Sequence, residues 1–466
     1  MRIRVLGQYV HGSLAVLAAV DAILFFGVLI LAAMLRLGTN LTEIQHDLGP
    51  LWPRAILFSA VMFVSLLSLG LYSARQRARR TGILVRVLTA VLAGTAVTAV
   101  CYYLLPEVLL GRGVLALAAP GAFISATLTR TAFSRFVDEN IFKRRVLIYG
   151  AGQRASSIVR LRRRADRRGF VVVGFVAVDG EKPEAPAEQL LPTQNGLRYL
   201  CRQHDVDEVV VAMDDRRSGF PILELLEVRL AGSEVTELLS FLERETCRVR
   251  IDLLNPSWMI FGEGFRRDSV RLFSSRALDL LASSLICVVS LPVLLLTTLA
   301  IKLEDGIRAP VLYKQARVGL GGRDFNVLKF RSMRIDAERD GQAQWAQKQD
   351  PRVTWVGAII RKLRIDELPQ ILNVLRGDMS FVGPRPERPQ FVAELAQKIP
   401  YYVQRQCVKP GITGWAQLCY PYGSSEQDAL EKLQYDLYYI KNNSLLFDIS
   451  ILMQTVEVVI MGQGAR

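Results

Sequence analysis

The sequence predicts a multidomain membrane protein with three parts. These are an α-helical transmembrane bundle, a Rossmann-like α/β domain, and a mostly α-helical domain with a re-entrant membrane helix and a short β-hairpin. Three observations lead to this fold class. Four apolar stretches lie in the first 130 residues, a strand–glycine loop–helix–strand pattern begins near residue 144, and a long apolar stretch flanked by basic residues lies at 277–301.

The overall composition agrees with a membrane-bound chain. Of the 466 residues, 51% are apolar and 22% are charged, and the net charge is +14. This length leaves room for about three domains, which we place at residues 1–130, 131–255 and 256–466. A surface this basic is typical of proteins that meet nucleic acid or anionic lipid. The apolar stretches favour membrane lipid as the partner, with no nucleic acid. The six cysteines form no Cys-x-x-Cys pair, so neither a disulfide framework nor a zinc site is indicated.

The first part of the chain predicts four membrane helices, at 13–36, 51–72, 83–105 and 108–128. Each is close to the ~20 residues that a bilayer requires. Basic residues precede the first helix and follow the second and fourth, whereas the loop between the first two carries Glu43 and Asp47. The positive-inside rule therefore predicts that both ends of the bundle lie in the cytoplasm.

Asp21 lies inside the first apolar stretch. A carboxylate at membrane depth is a functional candidate. The alternative is that Asp21 packs within the bundle near one interface. The membrane stretches offer no second carboxylate to pair with it, and this favours the packing role.

Residues from 144 to about 250 predict the Rossmann-like unit. The apolar run 146–149 leads into Gly150-Ala-Gly152, a helical stretch follows, and a second strand ends at Asp179. A dinucleotide fold uses this order, with glycines under the diphosphate and an acidic residue on a ribose hydroxyl. Gly150, Gly152 and Asp179 are therefore candidate nucleotide-binding residues. The motif is weak, and the favoured alternative is a tight turn in a domain that binds nothing.

A hydride-transferring dehydratase is disfavoured. Membrane-anchored sugar-nucleotide dehydratases also join four membrane helices to a Rossmann unit, and their chemistry needs a Tyr-x-x-x-Lys pair. No lysine of this chain has a tyrosine four residues before it.

The apolar stretch at 277–301 is interrupted by Ser290-Leu-Pro292. Proline removes a helical hydrogen bond and clashes with the preceding turn, so a bend is expected at Ser290 and Pro292. Basic residues flank the stretch on both sides, and a spanning helix would send one basic cluster to the outer face. We therefore expect a re-entrant helix; the alternative is a fifth span with a kink.

Two strand-like runs, 311–318 and 324–330, flank a glycine-rich turn and predict a β-hairpin. Lys329 and Arg331 are two residues apart, so they share one face at the end of the second strand. If that face meets the active site, both cations bind a diphosphate. Otherwise they are a surface pair beside lipid.

The adjacent carboxylates Asp366 and Glu367 carry the strongest chemical signal. A carboxylate can attack phosphorus or hold a metal, and nearby guanidinium groups can take up oxyanion charge. We choose Arg361 and Arg385 as phosphate clamps, because guanidinium forks match phosphate oxygens and prolines on both sides of Arg385 fix its backbone. Pro369 fits a first helical turn, so Asp366 is alternatively, or in addition, the N-cap of a helix at 367–375.

Together these motifs resemble the bacterial polyprenyl-phosphate sugar-1-phosphate transferases, the monotopic phosphoglycosyl transferases. The resemblance runs from about residue 270 to the end, and the bundle and Rossmann-like unit match the family's large members. Its motifs are Ser290/Pro292, Lys329-Phe-Arg-Ser-Met333, Asp366-Glu-Leu-Pro-Gln370, Gly377-Asp-Met-Ser380, Gly383-Pro-Arg-Pro386, Lys409-Pro-Gly-Ile-Thr-Gly-Trp415 and Tyr435-Asp-Leu-Tyr-Tyr439.

The resemblance implies a catalytic C-terminal domain on the cytoplasmic side of the bacterial inner membrane, in exopolysaccharide, capsule or O-antigen synthesis. A UDP-sugar and polyprenyl (undecaprenyl) phosphate would give polyprenyl diphosphate-sugar and UMP. Asp366 would form a phosphosugar-aspartyl intermediate. Mg²⁺, held by Asp366 or Glu367, would neutralise the diphosphate. Glucose and galactose are the expected sugars, ahead of N-acetylated ones.

The C-terminal segment 445–461 predicts an amphipathic helix, since Ser450, Gln454 and Glu457 share one helical face. It is expected to lie on the membrane or on the re-entrant helix.

Two further expectations concern partners and the runner-up function. The sequence is compatible with a homodimer through the bundle or the Rossmann-like unit. The runner-up function is a non-catalytic membrane scaffold or nucleotide sensor of polysaccharide assembly. The intact pair Asp366-Glu367, with Lys329, Arg361 and Arg385, favours catalysis, because a lapsed enzyme is expected to lose some of them.

Overall fold

The structure is a computed structural model, and it forms two compact units, Met1–Leu253 and Leu254–Arg466. The residues that it describes are 2–5, 8–38, 49–72, 80–104, 110–136, 143–161, 164–167, 169–192, 196–215, 219–254, 256–261, 264–265, 268–334, 352–420, 423 and 425–460. Glu43 and Asp47, used above for the orientation of the bundle, lie outside these ranges.

The first unit begins with a short antiparallel hairpin, β1 (Arg2–Val5) and β2 (Gln8–His11), and continues into four helices. The helices are α1 (Gly12–Leu37), α2 (Trp52–Ser68), α3 (Arg80–Leu104) and α4 (Arg112–Phe136). Of these, α1, α3 and α4 are long and apolar enough to cross a membrane, and α2 is apolar but has 17 residues. The four predicted helices are present, and the second is shorter than the predicted 51–72.

Asp21 of α1 is buried within this bundle, at 1% exposure. Its carboxylate accepts hydrogen bonds from Tyr72 Oη at 2.8 Å and from Thr129 Oγ1 at 2.7 Å, and pairs with Arg130 Nη1 at 3.0 Å. A charge buried in apolar surroundings is tolerated when it is paired and hydrogen-bonded. These contacts tie α1 to α4 and to the turn after α2, which favours the packing role for Asp21.

The rest of the first unit is a five-stranded parallel sheet of order β5–β4–β3–β6–β7 with helices between the strands. Its elements are β3 (Arg144–Tyr149), α5 (Gln153–Val159), β4 (Phe170–Val176), β5 (Leu190–Leu191), α6 (Leu197–Gln203), β6 (Glu208–Val211), α7 (Ile222–Leu230), β7 (Glu234–Glu237) and α8 (Leu238–Thr246). Alternate residues of β3 enter opposite apolar clusters, Val146 and Ile148 on one side and Leu147 on the other. A strand buried on both faces is typical of parallel sheets. The predicted Rossmann-like domain is confirmed.

The second unit is mostly helical. Its elements are α9 (Pro256–Phe261), α10 (Ser269–Asp305), β8 (Leu312–Val318), β9 (Asp324–Phe330), α11 (Trp355–Lys362), α12 (Gln370–Arg376), β10 (Ser380–Val382), α13 (Pro389–Lys398), β11 (Gly411–Thr413), α14 (Trp415–Cys419), α15 (Glu426–Asn442) and α16 (Leu445–Ile460). β8 and β9 pair in antiparallel register, with Leu312 opposite Phe330. α10 is the fourth described helix that is long and apolar enough to cross a membrane, and it continues through Pro292.

The start of α10 is hydrogen-bonded to the polar part of this unit. Arg276 donates to the carbonyl oxygens of Val374 at 2.6 Å and Leu375 at 2.7 Å, and so closes the C-terminal end of α12. One turn later, buried Asp279 accepts from the Ser380 hydroxyl and the Phe381 N–H of β10, both at 2.9 Å.

The C-terminal end of α10 also contacts the polar part of the second unit, at the start of α11 and the end of β9. Glu304 accepts from the backbone N–H groups of Trp355 at 2.8 Å and Val356 at 3.2 Å, which satisfies the free donors at the start of α11. Asp305 pairs with Arg331 at 2.6 Å. One helix therefore holds α12 and β10 near its start and α11 and the end of β9 at its last turn.

Candidate active site

The carboxylate pair lies in a short 3-10 turn, Ile365–Glu367, between α11 and α12. Arg364 enters this turn in the left-handed region, with φ of 56°, a conformation that residues with a side chain seldom adopt. The α12 helix begins only at Gln370, with Pro369 before it and no side-chain cap. The N-cap prediction for Asp366 is therefore wrong: the left-handed residue and Pro369 delay the start of the helix until after both carboxylates.

Glu367 is the hub of the site. Its Oε1 accepts from Lys329 Nζ at 3.1 Å and from Arg385 Nη2 at 3.0 Å, and its Oε2 lies 3.8 Å from Arg364 Nη1. Burial alone would raise the pKa of Glu367, but the charges of Arg385 and Lys329 lower that pKa well below the usual range of a glutamate. Burial lowers the pKa of Lys329, against the opposing charge of Glu367. Glu367 is thus a fixed anion that positions two cations.

Asp366, its neighbour, is differently placed. Its carboxylate is half-buried and, among the described residues, takes part in no hydrogen bond or ion pair. Burial and the charge of Glu367 raise the pKa of Asp366, while the charges of Lys329, Arg361 and Arg364 oppose that rise. A carboxylate with no bound partner, beside an anchored cation cluster, can act as a nucleophile toward a phosphoryl group.

Not all of the basic residues predicted to bind phosphate lie near Asp366 and Glu367. Lys329 and Arg385 converge on Glu367, and Arg361, in the last turn of α11, lies near enough to act on Asp366. Arg331 instead is buried and bound to Asp305 of α10. Ser290 and Pro292 lie in the middle of α10, far along the chain from the carboxylates.

Arg385 is positioned by a close backbone contact that the sequence pattern did not reveal. β10 and β11 pair in parallel, and the Gly383 N–H donates to Thr413 O and the Gly411 N–H to Pro384 O, both at 2.9 Å. A Cβ on Gly383, Gly411 or Gly414 would overlap backbone atoms of the facing segment. The Gly-Pro-Arg-Pro and Lys-Pro-Gly-Ile-Thr-Gly motifs therefore pack backbone against backbone, and we call this contact the glycine joint. The glycines at fixed positions within the two motifs were the only sequence signal for it.

Of the two carboxylates predicted to hold Mg²⁺, only one is in a position that suits the ion. Within the described residues, no cluster of three or more His, Cys, Asp or Glu side chains is present. Glu367 is already committed to two cations, whereas the Asp366 carboxylate is open. Mg²⁺ keeps several waters and needs few protein carboxylates, so Asp366 fits such an ion better than Glu367 does.

The predicted nucleotide loop of the first unit is occupied by the chain's own carboxylates. The N–H of Ala151 donates to Glu181 at 3.1 Å, and those of Gln153 and Arg154 donate to Asp214 at 2.8 and 2.7 Å. These are the donors that a diphosphate would use beside Gly150 and Gly152. Asp179 is exposed at the end of β4 and is not part of this network. Sequence reasoning missed Glu181 and Asp214, because their roles depend on how the loops after β4 and β6 fold back.

Apolar helices of membrane length, a Rossmann-like domain and a carboxylate–cation site in a helical domain define the class as membrane-anchored proteins with a candidate phosphoryl-transfer site. Residues 270–462 match the profile of the bacterial sugar transferase family, and residues 67–228 match that of a CoA-binding domain. The chain belongs to the bacterial sugar transferase family.

Its relatives include several named transferases. The chain is 42% identical over 276 residues to the UDP-N-acetylgalactosamine-undecaprenyl-phosphate N-acetylgalactosaminephosphotransferase of Aeromonas hydrophila, covering 59% of this chain and 62% of that protein. It is 35% identical to the undecaprenyl-phosphate glucose phosphotransferase of Komagataeibacter xylinus, covering 69% and 60%. It is 30% identical to the UDP-glucose:undecaprenyl-phosphate glucose-1-phosphate transferase of Xanthomonas campestris pv. campestris, covering 76% and 74%. The match thus spans about three fifths of the first two relatives.

Proposed function

We propose that this chain transfers a hexose-1-phosphate from a UDP-sugar to undecaprenyl phosphate, giving undecaprenyl diphosphate-sugar and UMP. The observation that carries the proposal is the contrast within the carboxylate pair. Glu367 is locked between Lys329 and Arg385, while Asp366 beside it is free to attack. The names of the relatives support the substrate classes.

The reaction has two displacement steps. In the first, an oxygen of Asp366 attacks the phosphorus that carries the sugar. A P–O bond to the aspartyl group forms, and the bond to the bridging oxygen breaks, so that UMP leaves with the electron pair. In the second, a phosphate oxygen of the lipid attacks the same phosphorus, and the Asp366 carboxylate is released unchanged.

The cations would stabilise charge on the transferring group. Arg385 keeps about half of its side chain exposed, so the guanidinium can bind a phosphate oxygen while it holds Glu367. Lys329 lies on the other side of Glu367, and Arg361 lies near Asp366. Mg²⁺ held at Asp366 would neutralise the diphosphate of the donor.

We also propose that α10 enters the membrane and returns on the same side. Arg276 and Asp305 are 29 positions apart, which is roughly 43 Å along a straight helix and more than the ~30 Å of a bilayer core. Yet Arg276 binds α12, and Asp305 binds Arg331, the residue after β9. The elements α12 and β9 are themselves in contact, because Asn373 of α12 accepts a hydrogen bond from the Leu328 N–H of β9 at 3.0 Å. A spanning helix would place these bound partners on opposite sides. The contacts support re-entry and a catalytic domain on the cytoplasmic face of the inner membrane.

The sugar stays open between a glucose-type hexose and an N-acetylated one, since the relatives' names include both. The runner-up, a non-catalytic scaffold, is disfavoured by the intact cation cluster around Glu367 and the open Asp366.

The test is UMP release from the purified full-length protein, given a panel of UDP-sugars, undecaprenyl phosphate and Mg²⁺. Asp366→Asn is expected to lower the rate by at least about 10³-fold, as for other nucleophile losses. Asp324→Asn, an exposed position in the hairpin, serves as the matched control and is expected to match wild type. Equal rates in wild type and Asp366→Asn would exclude the aspartyl mechanism, and no UMP from any donor would favour the scaffold.

A further inference from the structure

An apolar cavity lies next to the carboxylate turn in the second unit. Its volume is about 170 Å³, and its walls include Cys287 and Leu294 of α10, Leu312 and Phe330 of the hairpin, and Leu368 and Leu372. Among the residues that the structure describes, no charged side chain lines it. Neither the carboxylate chemistry nor the cation cluster accounts for this space.

The cavity lies between the active site and the membrane-facing helix. Leu368 follows Glu367 directly, so one wall begins where the carboxylate turn ends. Cys287 and Leu294 are seven positions apart and so share one face of α10. Leu285 and Leu295 of α10 are exposed, at 67% and 64%. Such side chains are suited to contact with lipid, so the cavity separates a lipid-facing helix from the reacting carboxylate.

We propose that this cavity binds the first isoprene unit of the polyprenyl phosphate acceptor, the unit that carries the phosphate. The inference rests on the proposed function and names where its lipid substrate is held. An apolar chain whose one end is a phosphate needs an apolar site close to the reacting carboxylate, and this cavity borders Leu368, which directly follows the Asp366-Glu367 pair. Occupied, it would fix the lipid phosphate against Asp366 and leave the rest of the chain in the bilayer.

The size of the cavity agrees with this occupant. An apolar protein cavity of about 150 Å³ binds benzene, a six-carbon molecule, and stays dry when empty. An isoprene unit has five carbons, so a space of about 170 Å³ accommodates one unit. The apolar lining also excludes the sugar and the nucleotide, whose polar groups would lose hydrogen bonds to water there.

The first test separates the two displacement steps in the full-length protein. Cys287→Trp fills the cavity, and Leu285→Trp adds the same side chain to the exposed side of the same helix. UMP release from UDP-sugar without lipid reports the first step. The KM for undecaprenyl phosphate reports the acceptor. Cys287→Trp is expected to release UMP close to the wild-type rate and to raise that KM at least about tenfold, since burial of several methylenes is lost. Leu285→Trp is expected to change the rate of UMP release and the KM for undecaprenyl phosphate by no more than twofold each.

The second test needs no variant. An undecaprenyl phosphate analogue with a photoreactive diazirine in its first isoprene unit is expected to cross-link to residues 287–294 or 368–372 of the wild-type protein. A phospholipid with the diazirine in its acyl chain is expected to label the exposed side of α10 instead.

The outcomes distinguish the inference from the proposed function. Absence of UMP release in wild type contradicts the proposed function itself. UMP release with an unchanged KM in Cys287→Trp, or equal KM increases in both variants, overturns the cavity assignment alone. If Cys287→Trp releases no UMP, the cross-links decide: label outside both segments, or equal label from the phospholipid, overturns the assignment.

Discussion

Arg385 and Glu367 form a 3.0 Å ion pair although 18 residues separate them. The pair joins the glycine joint to the carboxylate turn, and Lys329 completes it from the hairpin at 3.1 Å. Three separate parts of the second unit therefore meet at one carboxylate, and Asp366, the proposed nucleophile, is the residue directly before Glu367 in the chain.

Loss of the Arg385 fork is expected to slow UMP release by about 10²-fold, as for other groups that stabilise transition-state charge. Arg385→Ala tests this in single-turnover measurements. Arg385→Lys keeps the charge but not the two-pronged geometry, and an intermediate rate is expected. Arg323→Ala, an exposed turn arginine, is the control. A rate for Arg385→Ala within threefold of the control would contradict the role of the fork.

The pH dependence of UMP release is expected to follow the raised pKa of Asp366. In the proposed mechanism the ionised carboxylate attacks, so the rate should fall as the pH drops through that pKa, at a pH above the value of about 3.9 of an ordinary aspartate. Lys329→Met removes a positive charge that lowers this pKa, so the acid limb should move to higher pH. Glu367→Gln removes the negative charge that raises it, so the limb should move to lower pH. Shifts of the same sign in both variants would refute this assignment.

The glycine joint between β10 and β11 is expected to tolerate no side chain. Gly414→Ala places a methyl group against the Gly383 backbone, and overpacking of this kind typically costs about 1–3 kcal/mol. Thermal unfolding in detergent measures the loss. Gly111→Ala, where nothing lies within 4 Å of the added atom, is the control and should shift the midpoint little. Equal thermal unfolding midpoints for both variants would mean that the backbone at Gly383 and Gly414 accommodates the methyl group without loss of stability.

Asp214 is expected to matter for stability and Asp179 not. Asp214→Ala leaves the N–H groups of Gln153 and Arg154 without their acceptor, a loss comparable to removing a helix cap and worth about 0.5–2 kcal/mol. Asp179→Ala, at an exposed position, should cost less than about 0.5 kcal/mol. Chemical denaturation compares them, and NAD⁺ or UDP at millimolar concentration should stabilise neither wild type nor Asp179→Ala. Stabilisation by either nucleotide that is lost in Asp179→Ala would restore the ribose-binding role.

Asp21→Ala is expected to lower the stability of the bundle without changing the chemistry. Removing one partner of a buried pair leaves Arg130 charged and unpaired, which typically costs about 3–5 kcal/mol. The yield of folded protein should drop, while UMP release per folded molecule stays at the wild-type level. A selective loss of transfer to the lipid, with normal yield, would instead make Asp21 functional.

Sequence reasoning recovered the elements whose signals are local. The apolar lengths of α1 to α4 and the run from β3 to β4 are continuous in the chain, so their patterns alone predicted them. It also selected Asp366, Glu367 and Arg385, which lie in short motifs, and the structure brings these residues together. What it missed depends on distant partners. Arg331 and Lys329 share a strand end, but only the structure shows that Asp305 binds one and Glu367 the other.

Local sequence patterns gave a wrong prediction where the backbone conformation departs from a regular helix. Pro369 fits the start of a helix, and the sequence therefore predicted a cap at Asp366. The left-handed Arg364 was not predictable, since an arginine gives no sign of a positive φ. The occupants of the glycine loop, Glu181 and Asp214, come from 30 and about 60 residues downstream, beyond the reach of a motif.

The two-ended attachment of α10 has a mechanical consequence. Its first turns hold α12, which follows the carboxylate turn, and its last turn holds α11, whose own last turn carries Arg361. The same helix thus contacts the elements on both sides of the turn that carries Asp366, and its shape sets how far Asp366 lies from Arg361. Under the proposed re-entry, bilayer thickness and lateral pressure would act on α10 directly, so the lipid environment would become a variable that tunes the alignment of Asp366 and Arg361.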